Sequence, residues 1–123
     1  MLFRSNPSYI TERKLALLQC TSSYPTPDHD ANINAMLTLK SEFGLPVGYS
    51  DHTLGVDAIE TAVAVGAELI EKHFTDTREG KTFRDHLIAL TRDEVRATLE
   101  KMQRIRNLLG GFRKELKIGR AHV

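Results

Sequence analysis

At 123 residues the chain suffices for one small domain, but reaches only about half of the roughly 250 residues of a complete (β/α)8 barrel. Its 41% hydrophobic and 27% charged residues are ordinary for a soluble globular protein, and a net charge of +1 gives no electrostatic footprint for nucleic acid or a membrane surface. No apolar run approaches the roughly 18 residues of a membrane span, no signal-peptide pattern opens the chain, and the single cysteine, Cys20, cannot close an internal disulfide, so a cytoplasmic protein is expected.

Both termini read as foreign to the domain. Met1-Leu2-Phe3-Arg4-Ser5 can be written GTG CTC TTC CGA TCT, with GTG as the start codon. Ile118 to Val123 can be written ATC GGA AGA GCA CAC GTC, and with AG from a Lys117 codon the two tracts are reverse complements. They resemble a sequencing-library adapter, so residues 1–5 and 117–123 are expected to be adapter-derived tails around a domain spanning 6–116.

Leu15 to Thr21 is a short, nearly continuous apolar run, as expected of a strand buried on both faces, and Cys20 within it reads as a buried core thiol. A loop with Pro25 and Pro27 leads to a helix expected from about Asn32 to Phe43, ended by Gly44. A second short strand, Pro46 to Ser50, runs into Asp51-His52-Thr53. An alanine-rich helix, Val56 to Val65, closes at Gly66. The third strand covers Glu68 to Phe74, and a long loop, Thr75 to Leu90, suggests function rather than simple connection. In the last helix Thr91 and Glu94 form a capping box, Val95, Leu99, Met102, Ile105 and Leu109 recur at helical spacing, and Gly110-Gly111 ends the run. Alternating β and α elements with short αβ turns and long βα loops indicate an α/β fold with parallel strands and a site at their carboxyl ends.

Reactive side chains gather where these strands end: Thr21-Ser22-Ser23-Tyr24, Tyr49-Ser50-Asp51-His52 and Glu71-Lys72-His73. In a parallel barrel His52 and His73 become neighbours, and two neutral imidazoles backed by carboxylates suit a divalent ion such as Mn, Fe, Co or Zn. By strand alternation Glu71 shares the face of His73, where it could hold a metal-bound water or, facing outward, form a salt bridge. Arg78, Lys81 and Arg84 read as a solvated basic loop, with attraction of phosphate as the other possibility.

Three stretches, Gln19-Cys20-Thr21-Ser22-Ser23-Tyr24-Pro25, Gly48-Tyr49-Ser50-Asp51-His52-Thr53-Leu54-Gly55 and Glu71-Lys72-His73-Phe74-Thr75, resemble signatures of the sialic acid synthase family, in order and spacing. Asp85-His86 and the helix ending in Leu109-Gly110 continue the likeness, which covers residues 15 to 111. The resemblance implies a partial (β/α)8 TIM barrel, about its last three βα units. It implies condensation of phosphoenolpyruvate with an N-acetylmannosamine-type sugar (an N-acetylated hexose), releasing phosphate. His52 and His73 would hold a divalent metal, Mn or Mg, acting as a Lewis acid on the sugar aldehyde. Ser22 and Ser50 would contact phosphoenolpyruvate, Tyr24 would line both substrates, and Asp85 would bind sugar hydroxyls. Asp51 would stand behind the ligands, His86 would orient the loop, and the intact protein would be a homodimer. The chain departs from the family where Thr82-Phe83-Arg84-Asp85-His86 replaces a Gly-Pro-Asp-His stretch and Ala89 replaces a serine, both in the loop that meets the sugar. A non-catalytic sugar- or metal-binding module, or another two-histidine barrel enzyme of aldolase or epimerase type, are the alternatives.

Overall fold

A computed structural model describes residues 7–116, so the two proposed tails lie outside the described residues. Three strands, β1 (Leu17–Cys20), β2 (Val47–Asp51) and β3 (Leu69–Lys72), form one sheet in the order β1-β2-β3, every pairing parallel. A short turn of helix, α1 (Ser8–Thr11), precedes them, while α2 (Ala35–Phe43) and α3 (Asp57–Val65) supply the two crossovers and α5 (Arg92–Leu109) follows the last strand. The α/β architecture with sequential parallel strands is that of a partial (β/α)8 barrel.

The crossovers end where glycine is needed. Gly44 adopts φ +62 and returns its N–H to the Lys40 carbonyl at 2.9 Å, and Gly66 adopts φ +118. Helix α2 begins later than expected, at Ala35, because Asn32 has positive φ and residues before Ala35 form turns. The alanines of α3 let its backbone approach the sheet: Ala62 is wholly buried beside Ile59 and Val63. Ala62 joins Ala31, Met36, Val47, Tyr49 and Ala67 in a core on one face of the sheet, where each large apolar side chain contributes roughly 1.5–3 kcal/mol.

That core explains the burial of each strand. β2, in the middle, is buried throughout, whereas β1 and β3 alternate. Leu17, Val47, Tyr49 and Ile70 face the helices, and the opposite face carries Leu18, Gly48 and Leu69, with Leu18 and Leu69 exposed. Cys20 belongs to this second face and is exposed, which corrects the expectation of a core thiol. An apolar run does not say which of its two faces is covered.

On the helix side, Lys72 places Nζ 2.7 Å from Asp51 Oδ2 and 2.7 Å from the Thr53 carbonyl. Asp51 is completely buried and its Oδ1 accepts hydrogen bonds from the N–H and hydroxyl of Thr53 at 3.0 and 2.8 Å. Both carboxylate oxygens and two of the three ammonium protons are thereby matched, which offsets much of the desolvation of this pair; removing one partner alone costs about 3–5 kcal/mol. Burial first, and the neighbouring Asp51 second, push the Tyr49 hydroxyl up to about 12, so it stays neutral.

The segment expected as a plain loop, Thr75 to Leu90, contains a helical turn, α4 (Arg84–Ile88), anchored by buried Ile88. It returns to the sheet at Leu90, whose N–H reaches the His73 carbonyl at 2.8 Å while Thr75 N–H reaches the Leu90 carbonyl at 3.0 Å, a parallel bridge beside β3. Its cations are exposed, as expected of a solvated loop, but they are also paired. Arg78 makes two bonds to Glu94, at 2.6 and 2.5 Å, and one to the Ala89 carbonyl at 2.9 Å, while Lys81 pairs with Asp76. Glu94 is also the capping-box partner of Thr91, accepting its N–H at 2.9 Å, so one carboxylate fixes both the start of α5 and the end of the segment before it.

Two outcomes are expected. A methyl group at Gly48 would stand 2.2 Å from the Leu69 carbonyl oxygen, which is backbone and cannot turn away, and 2.7 Å from Leu18 Cδ2. Gly48→Ala should therefore destabilise the fold by about 2 kcal/mol or more in urea unfolding, and an unchanged midpoint would contradict this packing. The Arg78 guanidinium, followed by the Thr91 N–H, holds the Glu94 carboxyl down from 4.5 to about 2. Its stabilising contribution is thus complete above pH 4.5 and disappears as pH falls through about 2. The stability difference between wild type and Glu94→Gln should shrink across that interval; a difference unchanged at its acid end would refute the assignment.

Candidate metal and substrate site

The carboxyl ends of the three strands bring the sequence-predicted residues onto the exposed face of the sheet. The parallel register sets Ser50 opposite Glu71, and the Ser50 hydroxyl donates to Glu71 Oε1 at 2.7 Å. Two residues further along each chain, on the same face by alternation, stand His52 and His73, with ring centroids 5.4 Å apart and ring planes inclined at 61°.

His52 is buried and held from several sides. Its Nδ1 lies 3.1 Å from the Thr21 carbonyl, an acceptor only, so that nitrogen carries the proton and donates it. This tautomer leaves Nε2 with an unshared pair. The Thr26 N–H donates to the His52 carbonyl at 2.8 Å, joining the loop after β1 to the end of β2. Cys20 Sγ lies 3.8 Å from the same Nδ1. His73 is about one-third exposed and turns Nδ1 toward Asp85 Oδ2, 3.9 Å away, beyond hydrogen-bond reach but close enough for electrostatic attraction.

Tyr24 closes one side of the pair, its ring centroid 4.3 Å from that of His52 and 6.1 Å from that of His73. Arg84 caps the Tyr24 ring, its guanidinium carbon 4.8 Å from the centroid, and its Nε lies 3.9 Å from Asp85 Oδ1. Through these contacts the loop that carries Arg84 and Asp85 leans over the histidines. Ser22 is exposed on the loop after β1 and makes no hydrogen bond among the described residues, so it is not drawn into this network. His86 is turned elsewhere, its Nδ1 2.9 Å from the Thr75 hydroxyl.

The geometry thus joins His52, His73, Tyr24, Ser50, Glu71 and Asp85, and sets Asp51 apart on the helix side of the sheet. The Thr21 carbonyl, the Arg84–Tyr24 stack and the Asp51–Lys72 tie were not expected from the sequence. Strand alternation could have put Asp51 and Lys72 together, since each immediately precedes one of the histidines.

Two imidazoles bound to one ion at about 2.1 Å, at an angle near 100°, have ring centres about 5 Å apart. The 5.4 Å observed for His52 and His73 fits such an arrangement. Among the described residues no three His, Cys, Asp or Glu side chains come together in a way that could hold a metal ion.

Comparison with known proteins gives the family of the chain. The profile of the NeuB family matches residues 7–114. The chain is 46% identical over 104 residues to an uncharacterized protein of Methanocaldococcus jannaschii, covering 83% of this chain and 30% of that protein. It is 44% identical over 101 residues to the N,N'-diacetyllegionaminic acid synthase of Legionella pneumophila, covering 82% of this chain and 28% of the synthase. Among solved structures it superposes on the N-acetylneuraminic acid (sialic acid) synthetase of Leptospira borgpetersenii, in complex with citrate, with a TM-score of 0.79 and 40% identity over 90% of this chain and 39% of that one. The chain therefore spans about a third of the length of these relatives. With the profile running through all three strand ends and α5, the chain belongs to the NeuB family.

Proposed function

We propose that the chain is part of the catalytic face of a nonulosonic acid synthase, which condenses phosphoenolpyruvate with an N-acetylmannosamine-type sugar and releases phosphate. The observation that carries this reading is the His52–His73 pair, 5.4 Å apart at the strand ends of a NeuB-family chain and flanked by Tyr24 and Asp85.

His52 and His73 would hold a divalent metal, and Mn suits two imidazole donors better than Mg, which prefers oxygen. When bound, the metal supplies Lewis-acid polarisation of the sugar's aldehyde oxygen. The Thr21 carbonyl keeps the Nδ1 proton of His52 in place, so Nε2 remains a donor without any change of tautomer. Glu71, fixed by the Ser50 hydroxyl, presents a carboxylate on the same face and can orient a water. Ser50 and Ser22 are the contacts to phosphoenolpyruvate supplied by this chain. Asp85 accepts hydrogen bonds from sugar hydroxyls, and the Tyr24 ring excludes water from one side of the reacting carbons. Forming the carbon–carbon bond requires the enol carbon and the aldehyde carbon to be in contact, and the three strand ends of this sheet are one wall of the space that holds them. The setting is cytoplasmic, where phosphoenolpyruvate is available, and the active assembly is a homodimer. Among the described residues no helix is long and apolar enough to cross a membrane.

In a protein carrying the complete barrel, His52→Ala and His73→Ala should each lower metal-dependent phosphate release at least about a hundredfold, whereas His86→Ala should cost less than about tenfold. A His73→Ala enzyme with full, chelator-sensitive activity would refute the metal assignment. The 123-residue chain alone should release no phosphate from phosphoenolpyruvate and N-acetylmannosamine, because the rest of a barrel wall is needed to hold the first substrate.

A further inference from the structure

We infer that the buried Asp51–Lys72 pair is a positioning device that fixes the two histidines relative to one another, and so sets the affinity of this face for a divalent cation. This rests on the metal reading above and extends it to residues on the other side of the sheet.

The chain places each member of the pair directly before one histidine: Asp51 before His52, Lys72 before His73. Asp51 and Lys72 are register partners across β2 and β3, and the Nζ–Oδ2 distance of 2.7 Å ties the two strands at the last paired position before the histidines. The tie does not stop at the carboxylate. Lys72 Nζ also donates to the Thr53 carbonyl, and Asp51 Oδ1 accepts from both the N–H and the hydroxyl of Thr53. His52 therefore sits between two residues that are bonded to each other and to the residue preceding His73.

Burial gives the arrangement its stiffness. The side chain of Asp51 is 0% exposed and that of Lys72 7% exposed, so water cannot replace any of these bonds when the strands slide or the loop after β2 shifts. Tyr24 rests its ring against both imidazoles from the loop after β1, and the other restraints act on each histidine separately: Thr21 and Thr26 on His52, Leu90 and Asp85 on His73. Beyond the backbone bonds of the sheet, two side-chain contacts join β2 to β3 near this level, Ser50–Glu71 and Asp51–Lys72, and of the two Asp51–Lys72 is the one directly adjacent to both histidines. An ion shared by two ligands is sensitive to their separation, and groups behind metal ligands typically alter affinity by about 10–100-fold.

The test is Mn²⁺ binding to the 123-residue chain, followed by the electron paramagnetic resonance signal of free Mn²⁺, with far-ultraviolet circular dichroism and melting recorded in parallel. Combining Asp51→Asn with Lys72→Met removes the tie, keeps an acceptor for Thr53 and leaves no unpaired buried charge, so the fold should survive. Mn²⁺ affinity should fall by about 10–100-fold in this double variant, with the circular dichroism spectrum unchanged. Lys72→Arg, which keeps a charge and several donors at the same place, should recover most of the affinity. Thr53→Val deletes one hydrogen bond, leaves the ion pair intact, and should weaken Mn²⁺ binding by a few-fold; it decides the matter if the double variant does not fold. Unchanged affinity in folded double variant, or in Thr53→Val when that variant is the only folded one, overturns the positioning role while the metal site stands, provided His52→Ala abolishes binding. Wild-type chain that binds no Mn²⁺, or binds it equally well with His52→Ala, overturns the metal reading and this inference together.

Discussion

Side chains leave a strand alternately toward its two faces, so a single register decides what both faces of a sheet present. Between β2 and β3 that register sets Ser50 against Glu71 and Asp51 against Lys72. From it follow a hydrogen-bonded polar pair on the exposed face, a buried ion pair on the helix face, and two histidines one step further on. A slip of one residue would bury Glu71 and His73 against α3 and expose Ile70 and Lys72. The parallel pairing is thus as much a property of the site as of the fold, and the glycine at position 48 is part of it. Gly48 allows β2 to pass under the Leu69 carbonyl, an approach that a side chain would block.

Much of this could be read from the sequence, and for identifiable reasons. The three strands, the glycine helix stops and the Thr91–Glu94 capping box are local signals, set by periodicity and by turn chemistry within a few residues. The polar residues at the strand ends were legible because an α/β fold with long βα loops puts them there. What was not legible depends on partners distant in sequence. Cys20 sits in an apolar run, yet its face of the sheet is exposed. Arg78, Lys81 and Arg84 are exposed as a solvated loop requires, but their partners were not legible: one holds Glu94, one holds Asp76 and one stacks on Tyr24. The turn of helix at Arg84–Ile88 is too short to announce itself by period, and is held by the burial of Ile88 instead.

The two histidines differ in how firmly they are held. His52 is buried, hydrogen-bonded through its ring and pinned through its carbonyl to the loop after β1. His73 is more open and faces Asp85, which belongs to the segment before α5. A fixed imidazole paired with one whose surroundings come from a loop gives the site a rigid half and an adjustable half. Tyr24 bridges them, with its ring against His52 and Arg84 on its far side.

The segment from Thr75 to Leu90 is stapled at both ends. One staple is the Leu90 return to His73, the other the Arg78–Glu94 pair at the root of α5. Between the staples Ile88 is buried and His86 is bonded to Thr75, while residues 79–83 are exposed and carry little of the packing. The relatives described above bear the names of different acids, legionaminic in one and neuraminic in another, on a shared framework. A span anchored at its ends and at Ile88, with an exposed stretch at 79–83 between, leaves room for change at the surface while the sheet beneath stays as it is.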